Sequence, residues 1–221
     1  GMSEDFAYSH ATMPGQARAG YVGSPMPGVD VKISDEGEIL IKSPGCMMGY
    51  FKQPEMTAEC FTEDGYFKTG DRGERDEQGR LKITGRVKEL FKTSKGKYVA
   101  PAPIENLLNN HPEVELCCVT GSGNPQPYAL ILPAEELRPK LDDPAERSRF
   151  ESELNTLLDS VNREVEAFER LQFLVVVKDP WAIENGFLTP TMKIKRSKIE
   201  DNYGPMSDGW YTAGERVIWE H

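Results

Sequence analysis

Residues 144–170 carry the feature that most restricts the fold, a long stripe of apolar side chains at helical spacing. Successive apolar positions are separated by 4, 3, 1, 3, 4 and 3 residues, which matches one face of an amphipathic helix. The next segment, LQFLVVVKD at 171–179, has three consecutive valines and is typical of a buried strand. Together they predict a small α+β or α/β unit over roughly residues 86–200. The stripe consists of Phe150, Leu154, Leu157, Leu158, Val161, Val165 and Phe168.

Shorter elements are predicted on either side of this helix. Residues 103–112 begin with a proline, carry a helical apolar pattern and end in Asn-Asn-His-Pro, which predicts a short helix. Residues 115–121 and 128–133 are apolar runs typical of strands. The last stretch, residues 203–221, contains several glycines and two tryptophans. For that stretch the sequence leaves open a packed strand or a loose tail.

The first 85 residues have a different pattern. VDVKIS at 29–34 and GEILIKS at 37–43 alternate apolar and polar residues around a Ser-Asp-Glu-Gly turn, which predicts a hairpin. Residues 10–30 are rich in glycine and proline, and residues 44–58 are also irregular, which favours loops. We therefore expect a β-rich segment of hairpins that is not a complete layered domain, and an α+β fold class for the chain.

Composition narrows the class of protein. The 221 residues have a net charge of −10, whereas a general nucleic-acid binder needs a broad basic surface. The chain has no apolar run of transmembrane length and no signal-peptide pattern, so we expect a soluble, cytoplasmic protein. The four cysteines form no C-x-x-C pair and have no His cluster beside them, which favours reduced thiols over a zinc site.

Two segments around the change of pattern carry candidate ligand-binding residues. Asp71, in Thr-Gly-Asp, is predicted to lie in a tight turn, where its carboxylate can accept hydrogen bonds from the two hydroxyls of a ribose. Arg86 can pair with phosphate or ribose oxygens, and Lys88 lies at the boundary between the two halves. TSKGK at 93–97 offers hydroxyls, cations and a glycine that admits a ligand close to the backbone. The alternatives are a structural turn aspartate and a linker followed by a hairpin turn.

The stretch TPTMKIKRSKIE at 189–200 concentrates cations in an acidic chain. The polar TPT predicts a turn, and in an extended stretch Lys193 and Lys195 share one face while Ile194 points away. A lysine that faces a cleft can stabilise a phosphate or a developing oxyanion, and a solvated basic face is the alternative. At the start, Ser3 and Glu4 in GMSE offer hard oxygen ligands that suit Mg²⁺, although a terminal Ser-Glu is usually solvated.

The order and spacing of these segments resemble the C-terminal part of the adenylate-forming superfamily. The resemblance rests on GMSE, YFKTGDRG at 66–73, GRVKELFKTSKGKYVAPAPIE at 85–105 and LTPTMKIKR at 188–196, and is greatest with the long-chain fatty acid–CoA ligase branch. It implies the β-rich end of a large adenylation domain over 1–85 and a small, mobile α/β C-terminal domain over 86–221. It also implies a fragment of a longer ligase, because no Ser/Thr-Gly-rich phosphate loop is present.

The resemblance assigns roles to the motif residues. It makes Ser3 a phosphate contact and Glu4 the Mg²⁺ ligand, since GMSE is similar to the family's Tyr-Gly-x-Thr-Glu motif. It makes Asp71 the aspartate that binds both ribose hydroxyls of ATP and Arg86 an arginine that touches the ribose and phosphate. Lys88 corresponds to the hinge about which the small domain rotates.

The remaining roles belong to the second half of the chain. Lys193 corresponds to the catalytic lysine that bridges the carboxylate and the α-phosphate, whereas Lys195 and Arg196 are expected on the solvated face. Ser94, Lys95 and Gly96 correspond to the loop of the CoA step. This loop departs from the family's usual Ser-Gly-Gly, because Lys95 replaces a glycine.

The implied function is that of a carboxylic acid–CoA ligase acting on ATP, Mg²⁺, CoA and a fatty acid. Acyl-AMP and pyrophosphate form first, and CoA then displaces AMP. Two alternatives stay open: a fatty acyl-AMP ligase that loads a carrier protein, and a non-catalytic nucleotide-binding module. The expected partners are small molecules and not nucleic acid, the fragment alone is expected to be inactive, and the sequence does not decide whether the longer protein meets a membrane.

Overall fold

The computed structural model describes residues 1–220, and the chain divides into two compact units, Gly1–Glu89 and Leu90–His221. The predicted mixture of helices and sheets is confirmed. The predicted division into domains at residues 85 and 86 stays a prediction about the longer protein. No helix among residues 1–220 has the length and apolarity needed to cross a bilayer.

The first unit is built on a four-stranded antiparallel sheet in which each strand pairs with the next along the chain, in the order β3 (Asp30–Ile33), β4 (Glu38–Lys42), β5 (Phe67–Arg75) and β6 (Leu81–Arg86). The predicted hairpin forms its first two strands, and Gly37, with φ of +83°, closes the turn between them. Ile39 and Ile41 lie on the buried face of β4, as the alternation predicted. The elements are β1 (His10–Ala11), β2 (Ser24–Pro25), β3 (Asp30–Ile33), β4 (Glu38–Lys42), α1 (Pro54–Glu59), β5 (Phe67–Arg75) and β6 (Leu81–Arg86).

Two sequence expectations for this unit were wrong. The segment predicted as irregular, 44–58, contains most of α1, which begins at a proline in its first turn. Asp71 lies inside the nine-residue strand β5 and not in a tight turn. Gly70, with φ of +72°, and a register shift at Arg72 and Gly73 bend this strand without ending it, so the glycines that suggested a turn mark an irregular strand.

The second unit places helices on both faces of a four-stranded mixed sheet whose order is β12 (Val217–Trp219), β11 (Leu174–Val176), β10 (Tyr128–Pro133) and β9 (Val114–Thr120). β10 pairs antiparallel with β9 and parallel with β11, which pairs parallel with β12. The elements are β7 (Phe91–Lys92), β8 (Tyr98–Val99), α2 (Pro101–Leu108), β9 (Val114–Thr120), β10 (Tyr128–Pro133), α3 (Pro144–Glu164), β11 (Leu174–Val176), α4 (Arg196–Tyr203), α5 (Ser207–Ala213) and β12 (Val217–Trp219).

Both faces of this sheet are buried, which explains why its strands read as continuous apolar runs. Val119 packs in the cluster that includes α2 and α3, whereas the preceding Cys118 packs in the cluster that includes α4. All six residues of β10 are buried. Of the stretch that the sequence left open, residues 203–220 include the end of α4, α5 and the edge strand β12, and so belong to the packed unit.

The predicted strand 128–133 is confirmed, the strand predicted at 115–121 is confirmed with bounds of 114–120, and the long helix is confirmed with a different end. Asp143 caps α3 at its start by accepting a hydrogen bond from the Ala145 amide at 3.0 Å. The helix ends at Glu164 and not at residue 170, because Asn162 exchanges two hydrogen bonds with the backbone of Leu171. These bonds turn the chain back toward the sheet.

The other two boundaries are also shorter or shifted. α2 spans 101–108 where the sequence predicted 103–112, and a turn precedes Pro112. β11 spans 174–176 where the sequence predicted 171–179, although the buried character of the run from residue 173 to 177 is confirmed.

Replacing Phe150 by Ala is expected to lower the free energy of unfolding of the second unit by about 3–5 kcal/mol. Phe150 is fully buried in α3, so truncation leaves a cavity in the core. Denaturant unfolding followed by tryptophan fluorescence measures the change, because all three tryptophans lie in this unit. Phe168→Ala is the matched control, since that ring is 36% exposed. Equal losses in the two variants would contradict the assignment of the core.

The first unit is expected to lose stability as the pH falls from 6.5 to about 4. Burial lowers the pKa of His10 to about 4, and the charge of Arg75 adds to the effect. In this window the unfolded chain binds a proton that the folded chain does not, so the free energy of unfolding decreases with falling pH. Urea unfolding at pH 7 and pH 4.5 checks this. The pH dependence is expected to be weaker in His10→Gln, and an identical slope in the two proteins would count against it.

Candidate functional site

The structure brings together Asp71 and Arg86, the two residues predicted to bind a ribose. They are direct partners across β5 and β6, and Arg86 Nε lies 2.8 Å from Asp71 Oδ1. The Asp71 side chain is 17% exposed and the Arg86 side chain is 57% exposed. The pair therefore presents a partly shielded carboxylate beside an open guanidinium, an arrangement that can accept hydroxyl hydrogen bonds and attract a phosphate.

The backbone around Asp71 is held by side chains of its own unit. The Thr69 hydroxyl donates to the Ile39 carbonyl at 2.7 Å and accepts from the Asp71 amide at 3.1 Å. The Gly70 amide donates to Glu38 Oε1 at 2.9 Å. Burial raises the pKa of Asp71, while the neighbouring Arg86 opposes this shift. The carboxylate is thus fixed by the sheet and kept close to a cation.

Ser3 and Glu4 lie in a short 3₁₀ helix, Ser3–Asp5, in the same unit. Ser3 is exposed, and Glu4 Oε1 accepts a hydrogen bond from the Tyr50 hydroxyl at 3.0 Å. Burial and this carboxylate raise the pKa of Tyr50 to about 12, so Tyr50 remains a donor. No sequence pattern indicates a role for Tyr50, which lies in a loop 46 residues from Glu4.

The magnesium site predicted at Glu4 stays a prediction. No group of three His, Cys, Asp or Glu side chains within residues 1–220 is arranged to hold a metal. Mg²⁺ commonly takes only one or two protein carboxylates and completes its shell with substrate phosphates and water. Glu4 is consistent with one such ligand and cannot form a site by itself.

Lys193 lies at the end of a tight hairpin in the second unit. Leu188 and Ile194 form an antiparallel bridge, and the Thr189 amide donates to the Lys193 carbonyl at 2.8 Å. The predicted TPT turn is confirmed, with Met192 in the left-handed region at φ of +61°. Lys193 is exposed and Ile194 is partly buried, so the predicted alternation of faces is also confirmed.

Arg196 is not on the solvated face, and that expectation was wrong. Its Nη2 atom lies 2.7 Å and 2.9 Å from the two oxygens of Glu105, and its Nη1 atom donates to the Val119 carbonyl at 2.8 Å. Both charged side chains are largely buried, at 13% and 12% exposure. Sequence reasoning missed Glu105 as well, which is 9% exposed as a whole residue and lies beside Ile104 on the buried face of α2.

The Ser94-Lys95-Gly96 loop is an exposed turn between β7 and β8. The Gly96 amide donates to the Thr93 carbonyl at 2.9 Å, and Gly96 has φ of +80°. The Ser94 amide donates to the Asn124 carbonyl at 2.9 Å, which ties this turn to the loop after β9. The loop therefore offers exposed polar groups on a backbone that is anchored at one point.

Lys88 lies in the short 3₁₀ helix Val87–Glu89, which ends at the last residue of the first unit. The predicted site residues are thus distributed between both units. Ser3, Glu4, Asp71 and Arg86 belong to the first unit with Lys88, whereas the 94–96 loop and Lys193 belong to the second.

Residues 89–215 match the family model of the AMP-binding enzyme C-terminal domain. The chain is 34% identical over 198 residues to the long-chain-fatty-acid–CoA ligase FadD15 of Mycobacterium tuberculosis. This match covers 84% of this chain and 33% of the relative. The chain is also 32% identical over 240 residues to the human long-chain-fatty-acid–CoA ligase 1, in a match that covers 96% of this chain and 34% of that protein. The chain therefore spans about a third of the length of the curated relatives it matches.

Solved structures of proteins bound to AMP or ATP also match the fold of this chain. The adenylation domain of a carboxylic acid reductase from Segniliparus rugosus, in complex with AMP and a carboxylic acid, superposes with a TM-score of 0.70 at 28% identity. That match covers 87% of this chain and 32% of the other. The ATP-bound MatB of Rhodopseudomonas palustris superposes with a TM-score of 0.66 at 25% identity, over 92% of this chain and 39% of the other.

Proposed function

Because the chain belongs to the family of AMP-binding enzymes, by its match to their C-terminal domain, we propose that the protein containing it is an ATP-dependent fatty acid–CoA ligase. The likeness to long-chain-fatty-acid–CoA ligases supports a long-chain fatty acid as the substrate. The structural observation that carries the proposal is the Asp71–Arg86 pair, a carboxylate and a guanidinium on adjacent strands.

In this proposal the first unit contributes nucleotide contacts. Asp71 accepts hydrogen bonds from both ribose hydroxyls, and Arg86 faces the ribose and phosphates with its exposed guanidinium. Ser3 is a phosphate contact. Glu4 would hold Mg²⁺, which supplies positive charge against the phosphates when it is bound. Tyr50 orients the Glu4 carboxylate through the hydrogen bond at 3.0 Å.

The second unit contributes the cation of the adenylation step. A carboxylate oxygen of the fatty acid forms a bond to the α-phosphorus of ATP while the bond to pyrophosphate breaks. Negative charge develops between the two reactants, and the exposed ammonium of Lys193, carried by a hydrogen-bonded hairpin, would stabilise it. Lys88, beside the boundary of the units, is the proposed hinge for rotation between the two steps.

The second step joins the acyl group to a thiol. The CoA sulfur, as its deprotonated thiolate, bonds to the acyl carbon while the bond from that carbon to the phosphate oxygen breaks, and AMP leaves. We assign the Ser94-Lys95-Gly96 turn to this step, since it presents exposed polar groups on an anchored backbone. A carrier-protein thiol is the second candidate acceptor, because a solved neighbour is the didomain of an adenylation domain and a peptidyl carrier protein from a carboxylic acid reductase.

The test uses the full-length protein and measures ATP–pyrophosphate exchange and thioester formation with a fatty acid. We expect exchange that depends on the fatty acid, and thioester formation with free CoA that exceeds formation with a carrier protein. The reverse preference would favour the carrier-loading enzyme. Nucleotide binding without exchange would refute a ligase and favour a non-catalytic nucleotide-binding module.

The isolated 221 residues are expected to form little or no acyl-CoA. They match only about a third of each curated relative, and the sequence contains no Ser/Thr-Gly-rich phosphate loop. Incubation of the purified chain with ATP, Mg²⁺, CoA and palmitate, beside the full-length protein as the positive control, measures this. Robust acyl-CoA formation by the 221 residues alone would show that the machinery is complete without further sequence.

A further inference from the structure

Arg196 joins three elements of the second unit. It is the first residue of α4, and its guanidinium binds Glu105 from α2 with two short contacts and the Val119 carbonyl of β9 with a third. Glu105 in turn accepts a hydrogen bond from the Val119 amide at 2.8 Å. The start of α4 is therefore fixed against both the helix and the strand by charge-assisted hydrogen bonds.

The hairpin that carries Lys193 ends directly before this anchor. Its first strand is held by Leu188, which is 1% exposed, and the Lys195 amide donates to the Phe187 carbonyl at 2.7 Å. Only Ile194 and Lys195 separate Lys193 from Arg196. The backbone of Lys193 is thus tied to the core on both sides, while its side chain stays exposed.

We propose that Glu105 and Arg196 are positioning residues for Lys193. This inference rests on the proposed function, in which Lys193 serves the adenylation step. A largely buried ion pair adds little to the free energy of unfolding, since the cost of taking both charges out of water offsets much of their attraction. The contacts of Arg196 Nη2 with both Glu105 oxygens and of Nη1 with the Val119 carbonyl instead fix the direction in which α4 begins, and with it the place at which the Lys193 ammonium meets the reactants.

The arrangement predicts a selective effect on one step. Arg196→Lys keeps the charge but replaces the two guanidinium nitrogens that bind Glu105 and the Val119 carbonyl by a single ammonium, so the start of α4 is held less firmly. In the full-length protein we expect the turnover rate of fatty-acid-dependent ATP–pyrophosphate exchange to fall about 10- to 100-fold, because small misplacements of a reacting group are costly. The KM for ATP and thioester formation from supplied acyl-AMP should stay near wild type. Arg216→Lys, which changes an exposed ion pair with Asp159, is the matched control and should change neither step.

A second comparison asks whether Arg196 acts through Lys193. In a Lys193→Ala background, Arg196→Lys should cause no further loss of exchange. If Arg196→Lys lowers exchange equally in both backgrounds, the proposal is overturned. It is also overturned if Arg196→Lys lowers exchange and thioester formation equally together with the melting temperature, because the ion pair then has only a structural role. If Arg196→Lys does not fold, Glu105→Gln, which keeps an acceptor for the Val119 amide, carries the same comparison.

The outcomes also separate this proposal from the proposed function. If Lys193→Ala alone leaves exchange intact, the role of Lys193 fails. If Lys193→Ala abolishes exchange and Arg196→Lys does not affect it, only the positioning role fails.

Discussion

Replacing Lys193 by Ala is expected to lower fatty-acid-dependent ATP–pyrophosphate exchange of the full-length protein by about 100- to 1000-fold, the scale of removing one preorganised electrostatic contact from a transition state. Lys193 is exposed at the end of a hairpin whose strands are fixed to the core, so its ammonium is available to a bound substrate. Exchange reports the adenylation step alone. Thioester formation from supplied acyl-AMP should therefore survive.

The neighbouring lysine provides the matched control. Lys195 is also exposed and lies two residues away in the same stretch, yet the proposal gives it no contact with the reactants. Lys195→Ala should leave exchange near wild type. Equal effects of the two substitutions would indicate a general basic surface. Unchanged exchange in Lys193→Ala would show that the basic residues at 193–196 have no role in the adenylation step.

Replacing Asp71 by Ala is expected to raise the KM for ATP in the exchange reaction by about 100-fold or more, because two hydrogen bonds to a charged acceptor are lost at about 1.5–3 kcal/mol each. The substitution also removes the partner that lies 2.8 Å from Arg86 Nε. A steady-state titration of ATP against each variant measures the change.

A nucleotide without ribose hydroxyls makes the test specific. Wild-type protein should discriminate strongly between ATP and 2′,3′-dideoxy-ATP, and Asp71→Ala should lose most of that discrimination. Glu74→Ala is the matched control, since Glu74 forms a cross-strand ion pair with Lys82 on the same two strands, at 3.2 Å. If Asp71→Ala weakens both nucleotides equally and keeps the discrimination, its carboxylate does not bind the ribose.

Several parts of the structure follow from local sequence patterns. The stripe from Phe150 to Val161 faces the core because its spacing matches the helical repeat, and the alternation at 29–43 makes a hairpin because its spacing matches the strand repeat. The TPT turn follows from local backbone preferences. The order of the motifs also identified the family correctly, since it depends on spacing along the chain and on no contact.

Other features depend on contacts between residues far apart in the chain. Helix α3 stops at Glu164 because Asn162 bonds to Leu171, a partner that helical periodicity does not reveal. Asp71 was expected in a turn because Gly70 precedes it, and pairing with β6 keeps it in a strand. The sequence left open whether the stretch after residue 203 is packed or loose. The structure answers this through the parallel pairing of β12 with β11, which local patterns do not reveal.

The Lys193 segment shows most clearly which features follow from local sequence and which depend on contacts between distant residues. The sequence alone determined that cations gather at 193–196 and that a turn precedes them, because charge and turn chemistry are local properties. Only the tertiary structure decided which of these cations faces water and which is buried. Lys193 and Lys195 remain exposed, whereas Arg196 meets Glu105, 91 residues away, because α2 and β9 converge on the first turn of α4.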